Sequence, residues 1–168
     1  FSQEDWSEFI STETSKVFVF GLETYSGTTY LGVNTQNVTV NVPNSSPYLP
    51  ISSPPTTAEM ASGPSTAFGS NIYIKGQSNI RYYWSGVPGD SATITKRELL
   101  LTRSWSSGTV VIDVTNVSGY KYDEVPTGLA LDGSVSVVSR TTDSRGRIST
   151  SSSTVINVYN YNLPAITT

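Results

Sequence analysis

The sequence predicts an all-β protein built as a sandwich. Three observations carry that expectation. The first is residues 135–159, VSVVSRTTDSRGRISTSSSTVINVY, where two alternating apolar runs flank a polar turn. Period-two alternation puts Val135 and Val137 on one face and Ser136 and Val138 on the other. Ile156 and Val158 oppose Val155 and Asn157 in the same way. The turn between them, Thr142 to Arg147, carries Gly146, which can take the positive φ that a compact hairpin loop often needs. The second observation is composition. Ser and Thr make up roughly three residues in ten, against a charged fraction of only 14%. With ten Tyr and frequent Gly and Pro, this suits many short strands with hydroxylated outer faces. The third is the absence of Cys, so no disulfide staples the fold and the antibody-type core of paired Cys around Trp is excluded.

The chain also has no His. Without His and Cys there can be no Ser-His-Asp triad, no thiolate nucleophile and no His-ligated zinc. Carboxylate chemistry remains, but a glycosidase needs two acids facing each other across a cleft. The thirteen acids here are scattered, many beside turns or chain ends. The expectation is a protein that is not an enzyme and has no cofactor and no metal site. Net charge is −3. Up to Met60 the chain holds Glu4, Asp5, Glu8, Glu13, Glu23 and Glu59 against Lys16 alone. That asymmetry is too mild for a nucleic-acid footprint, which needs clustered Lys and Arg. No apolar run approaches a membrane span. Neither nucleic acid nor membrane is an expected partner.

Two blocks follow one another along the chain. Residues 1–46 read as the C-terminal part of a first β-module. Residues 2–10, SQEDWSEFI, suggest a turn or two of helix, with Ser2 and Asp5 as a capping box and Trp6, Phe9 and Ile10 at helical spacing. The expected role is a plug over one end of a sandwich. A strand from Lys16 to Thr24 follows, then a turn at Tyr25-Ser26-Gly27. Val38, Val40 and Val42 alternate with Thr39 and Asn41, as in a half-buried strand. Residues 47–67 are a Pro- and Ser-rich bridge, extended and unsuited to central strands, expected to hold a domain junction and an irregular first strand of the next block.

Residues 68–162 read as a complete antiparallel sandwich. Short strands are expected at Asn71 to Lys75 and at Gln77 to Trp84, the latter with Ile80, Tyr82 and Trp84 on one face. Val87-Pro88-Gly89-Asp90 is a turn. The strand from Ala92 to Leu101 changes register inside itself. Thr109 to Val114 is expected to point Val110, Ile112 and Val114 inward, and Tyr120 to Leu131 is a longer connection. About seven short strands at this spacing is the count of an Ig-like sandwich. The expected class is therefore an Ig-like antiparallel β-sandwich plus a partial second β-module. The blocks also end alike: VTVNVPNSSPYLPI at 38–51 parallels TVINVYNYNLPAI at 154–166. That likeness suits tandem modules and implies that a further module follows.

Taken in order, DW…FI, ETYSGTTYLGVNTQNVTVNVP, the Pro-rich bridge, FGSNIYIKGQSNIRYYWSG and TDSRGR…TVINVYNY carry a family likeness. The chain resembles the repeated Ig-like modules of tail-associated structural proteins in long-tailed bacteriophages of Gram-positive hosts. The resemblance spans nearly the whole chain. It implies a virion component that extends or decorates the tail or its tip, with other tail proteins as partners. It brings no catalytic residues.

Three aromatic residues are candidates for surface contact. Trp105 sits among Ser104, Ser106 and Ser107 in a loop-like stretch, and is read either as a sugar-stacking platform or as an end-plug. Tyr120 and Tyr122 flank Lys121, and are read as surface contacts or as the tyrosine corner of Ig-like folds. Asp143 with Arg145 or Arg147 is expected to stabilise its own turn. Two functional classes remain: a structural spacer or decoration module of a phage tail, and an adhesin module of a tail tip or bacterial surface that recognises cell-wall carbohydrate.

Overall fold

The computed structural model describes residues 2–60, 69, 71–117, 121–124 and 133–160. Among the described residues the structure is all-β apart from one short helix, α1 (Gln3–Ser7). The strands are β1 (Ser15–Ser26), β2 (Thr29–Asn41), β3 (Ile51–Ser52), β4 (Thr56–Glu59), β5 (Ile72–Ile74), β6 (Ile80–Tyr83), β7 (Gly86–Val87), β8 (Ile94–Arg103), β9 (Thr109–Asp113), β10 (Lys121–Glu124), β11 (Gly133–Asp143), β12 (Ile148–Thr150) and β13 (Thr154–Tyr159).

Two sheets face each other. One has the order β5-β13-β11-β8-β9, with β12 on β11; the other is β10-β6-β4. All pairs are antiparallel except β13 with β5, which run parallel. The alternation seen in the sequence fills the space between them. Ile80, Tyr82 and Trp84 meet Leu99, Leu101, Val114, Val135, Val137, Ile156, Val158 and Tyr73 in one buried cluster. Val155 faces out, as period two requires. The register change within β8 is a bulge at Thr95: Thr142 pairs Lys96 and Asp143 pairs Ile94.

One expectation needs correction. Val110 is 44% exposed, and Ile112 is only half-buried. β9 is the edge of the wide sheet, and the narrower wall opposite does not cover its far end. Residues 47–67, expected to hold an irregular first strand of the next block, do contain strand. The bridge contributes β3, paired with β7, and β4, paired with β6 as an edge strand. Pro54 and Pro55 precede β4, where an edge tolerates them. The first block, finally, is a long hairpin. Among the described residues β1 and β2 pair only with each other, from Ser15↔Asn41 to Ser26↔Thr29. Gly27 at φ 62, followed by a Thr28 outside the left-handed region, marks a type II′ turn. Val40 and Val42 are buried at the hairpin base, while Val38, on the same face, is exposed. Only the base is covered.

The outer face of the wide sheet carries an ion cluster. Glu98 is buried and accepts from Arg140 Nε at 2.7 Å, with Lys96 Nζ also at 2.7 Å. The Arg140 hydrogen bond holds the Glu98 carboxyl below its usual pKa, against the opposing effect of burial. A depressed folded pKa stabilises the protein above the carboxylate's unfolded pKa. That stability is lost as pH falls through the folded value. Glu98→Gln is expected to lower neutral-pH stability by about 1–2 kcal/mol, discounted for the partly exposed Arg140. It should also flatten the acid side of the stability profile. Denaturant melts of both proteins across the acid range check this.

Candidate functional site

Trp105 follows β8 and is half-buried against the core cluster. Its ring lies over Gly133, where a Cβ would come 2.8 Å from Trp105 Cε3. Gly133 has φ 142, so the close approach and the backbone both favour glycine there. The loop is pinned by Ser104 N–H to the Ser134 carbonyl at 2.9 Å and by Ser134 N–H to Ser104 Oγ at 3.0 Å. Trp105 thus closes one end of the sandwich. Beside it is an open cleft lined by Ser104, Gly133, Ser134, Asn157, Val158 and Tyr159.

Tyr122 lies on β10 opposite Tyr82. The two rings stack with centroids 6.3 Å apart and planes 27° from parallel. Tyr122 is half-buried on the core and belongs to the opposite wall from Trp105. The two side chains do not share one platform. Tyr120 lies outside the described residues.

The larger exposed apolar surface is the β1–β2 arm, which the three aromatic candidates did not include. Opposed residues in an antiparallel pair share a face. One face therefore holds Phe18/Val38, Phe20/Gln36 and Leu22/Asn34, and the other Val17/Thr39, Val19/Asn37 and Glu23/Val33. Near the tip, Tyr25 and Tyr30 meet edge-to-face at 5.4 Å, and Tyr25 Oη donates to Glu23 Oε2 at 2.7 Å. Leu22 is 72% exposed and Val19 66%; Val17, Leu31 and Val33 are also more than half exposed. Natural surfaces seldom show so continuous an apolar ribbon on both faces unless it has a partner. The sequence signal was available in residues 17–22, VFVFGL, which give neither face of the strand a polar side chain.

The arm is anchored at its base. Ser2 and Asp5 form the capping box of α1, each side chain accepting from the other's backbone N–H. α1 carries Trp6 onto Phe18 and Phe20, with centroids 5.4 and 5.5 Å away. Ile10, Val40, Val42 and Tyr48 complete a small second cluster. The helix therefore covers the base of the arm rather than an end of the sandwich, and Phe9 stands in solvent.

The link to the sandwich is the turn after β11. Asp143 Oδ1 accepts from the backbone N–H groups of Arg145 and Arg147, both at 3.0 Å, which shapes the turn as expected. The two guanidinium groups leave it. Arg145 Nε donates to the Ile10 carbonyl at 2.8 Å. Arg147 donates through Nη1 to Pro43 at 2.7 Å and Tyr48 at 3.0 Å, and through Nη2 to Val42 at 2.8 Å. Ser144 Oγ adds a bond to the Ser11 carbonyl. Burial pushes the Arg145 guanidinium pKa down and the neighbouring Asp143 opposes it; the group stays charged.

Among the described residues, no three His, Cys, Asp or Glu side chains gather as a metal site. No helix among them is long and apolar enough to cross a membrane. No family model matches the chain, and neither does any curated protein.

Proposed function

We infer that the chain is a non-enzymatic structural component of a bacteriophage virion, a spacer or decoration module of the tail or its tip. One observation carries the reading: a sandwich with an apolar, two-stranded arm hydrogen-bonded to it at the base. A sandwich adds fixed length, and an uncovered ribbon of this kind joins it to something else. The family resemblance supplies the setting, the virion, and the partners, other tail proteins. Immunogold labelling and mass spectrometry of purified particles test this. Label along the tail supports the reading; a particle free of the chain overturns it. Hydrolysis of a cell-wall polymer by the purified chain would overturn the non-enzymatic part.

The second reading, a module that binds cell-wall carbohydrate, rests on the cleft beside Trp105 with the exposed Tyr159 at its edge. The packing of Trp105 against Gly133 and the core cluster weighs against it, because part of the ring is used within the fold. Trp105→Ala is expected to destabilise the sandwich by about 2 kcal/mol, less than a fully buried aromatic. It should leave any adhesion to host cell walls unchanged in a pull-down. Adhesion lost in a variant that still folds would favour the carbohydrate reading.

A further inference from the structure

We propose that β1 is a self-association edge, by which two copies of this chain join their arms into one four-stranded antiparallel sheet about a two-fold axis. Among the described residues, no strand pairs with the outer edge of β1. That edge is twelve residues long. It lacks the usual protection. Natural edges are blunted by Pro, by charge or by being short. The sandwich follows this rule, with the four-residue β4 behind Pro54 and Pro55. β1 has no Pro, and Lys16 and Glu23 are its charged residues. α1 lies on one face of the arm, with Trp6 against Phe18 and Phe20, and does not pair with the backbone edge of β1.

The chemistry of the two arm edges selects β1 and a second copy. A two-fold axis perpendicular to the sheet pairs residues of the same face. Centred on Phe20, it places Phe20 against its own copy, Phe18 against Leu22 and Val19 against Gly21. The Phe20 pair and the Phe18–Leu22 pairs are of the aromatic and aliphatic kind that stabilises sheets. The same operation on β2, centred on Thr35, would pair Asn34 with Gln36 and Val33 with Asn37, mostly polar and without that gain. With one Lys and one Glu between residues 15 and 41, the arm offers no charge pattern for a charged partner. The ladder would be about 40 Å long and cover roughly 400–500 Å² per copy, with on the order of ten hydrogen bonds. That is the low end for a specific contact, so the association should be weak and concentration-dependent.

Sedimentation velocity of the full chain from about 1 µM to about 1 mM reads the association directly. The expected result is a monomer converting to a dimer across that range. Val19→Lys with Leu22→Lys puts charge on the edge at two exposed positions, so the fold should persist; the dimer should weaken at least about tenfold. Register has its own test, because the chain has no Cys. Phe20→Cys should form an intermolecular disulfide on mild oxidation, since opposed Cα atoms in such a ladder lie within bonding range. Thr35→Cys on β2 should not. A chain monomeric throughout overturns the proposal and leaves the arm to a different protein. A dimer indifferent to the lysines, or one trapped faster at residue 35 than at residue 20, overturns the assignment to β1. The inference stands apart from the virion reading: a monomer in solution would leave tail labelling untouched, and unlabelled particles would leave self-association untouched.

Discussion

Trp84→Ala is expected to cost about 3–5 kcal/mol of folding stability. The indole is 4% exposed and packs in the cluster between the two walls. Its removal takes away a large apolar surface and leaves a cavity that the sheets, held by their ladders, cannot close. Against a typical domain stability of about 5–15 kcal/mol, this is enough to bring the sandwich near its unfolding midpoint. Val110→Ala is the contrast. Sequence alternation alone places it beside Ile112 and Val114, yet it stands in solvent on an edge strand. Its loss should cost below about 1 kcal/mol. Urea unfolding of the two variants distinguishes a core built on the central strands from one extending evenly through β9. Equal losses would mean that β9 is covered.

The same contrast marks what the sequence made legible. In β6, β11 and β13 the alternation predicts the buried face, because each has neighbours on both sides and a wall opposite. In β2 Val38, Val40 and Val42 alternate as cleanly, and in β1 both faces are apolar, but among the described residues nothing covers them beyond the base. Periodicity reports which residues share a face, not whether that face meets another. The bridge suggested one irregular strand and holds two short ones, because an edge accepts Pro next to a short pairing. The capping box of α1 was readable from Ser2 and Asp5, since it is local. What α1 covers was not, since Tyr48 and the hairpin base lie far along the chain. Trp105 and Tyr122 stood out as aromatic residues in loop-like sequence, and both rings turn out to be used in packing. The role of Arg145 and Arg147 was the least accessible. The turn they sit in is explained by Asp143 alone, and their guanidinium groups act across about a hundred residues of chain.

Arg147→Ala is expected to loosen the arm while leaving the sandwich folded. One guanidinium satisfies three backbone carbonyls, those of Val42, Pro43 and Tyr48, at the point where the hairpin meets the rest of the chain. Bonds to a charged donor are each worth about 1.5–3 kcal/mol, and water can recover part of that at a half-buried site. A net local loss of about 2–4 kcal/mol follows. Arg147→Lys should rescue little, because one ammonium cannot reproduce the planar fork. The loss should appear as faster hydrogen exchange at the hairpin base, around residues 38–48, by about 30-fold or more. Amides of β6, β8 and β11 should keep their protection, since their ladders do not pass through Arg147. A two-stranded unit is marginal by itself. Residues 1–50 expressed alone should therefore show no cooperative melting, even though they contain the whole arm and its helix. If that fragment melts cooperatively, or if Arg147→Ala weakens the sandwich as much as the arm, the anchoring role of the turn is wrong. If exchange rises only at the base, the arm's rigidity comes from the sandwich through two arginines, and its apolar ribbon is held out rather than left loose.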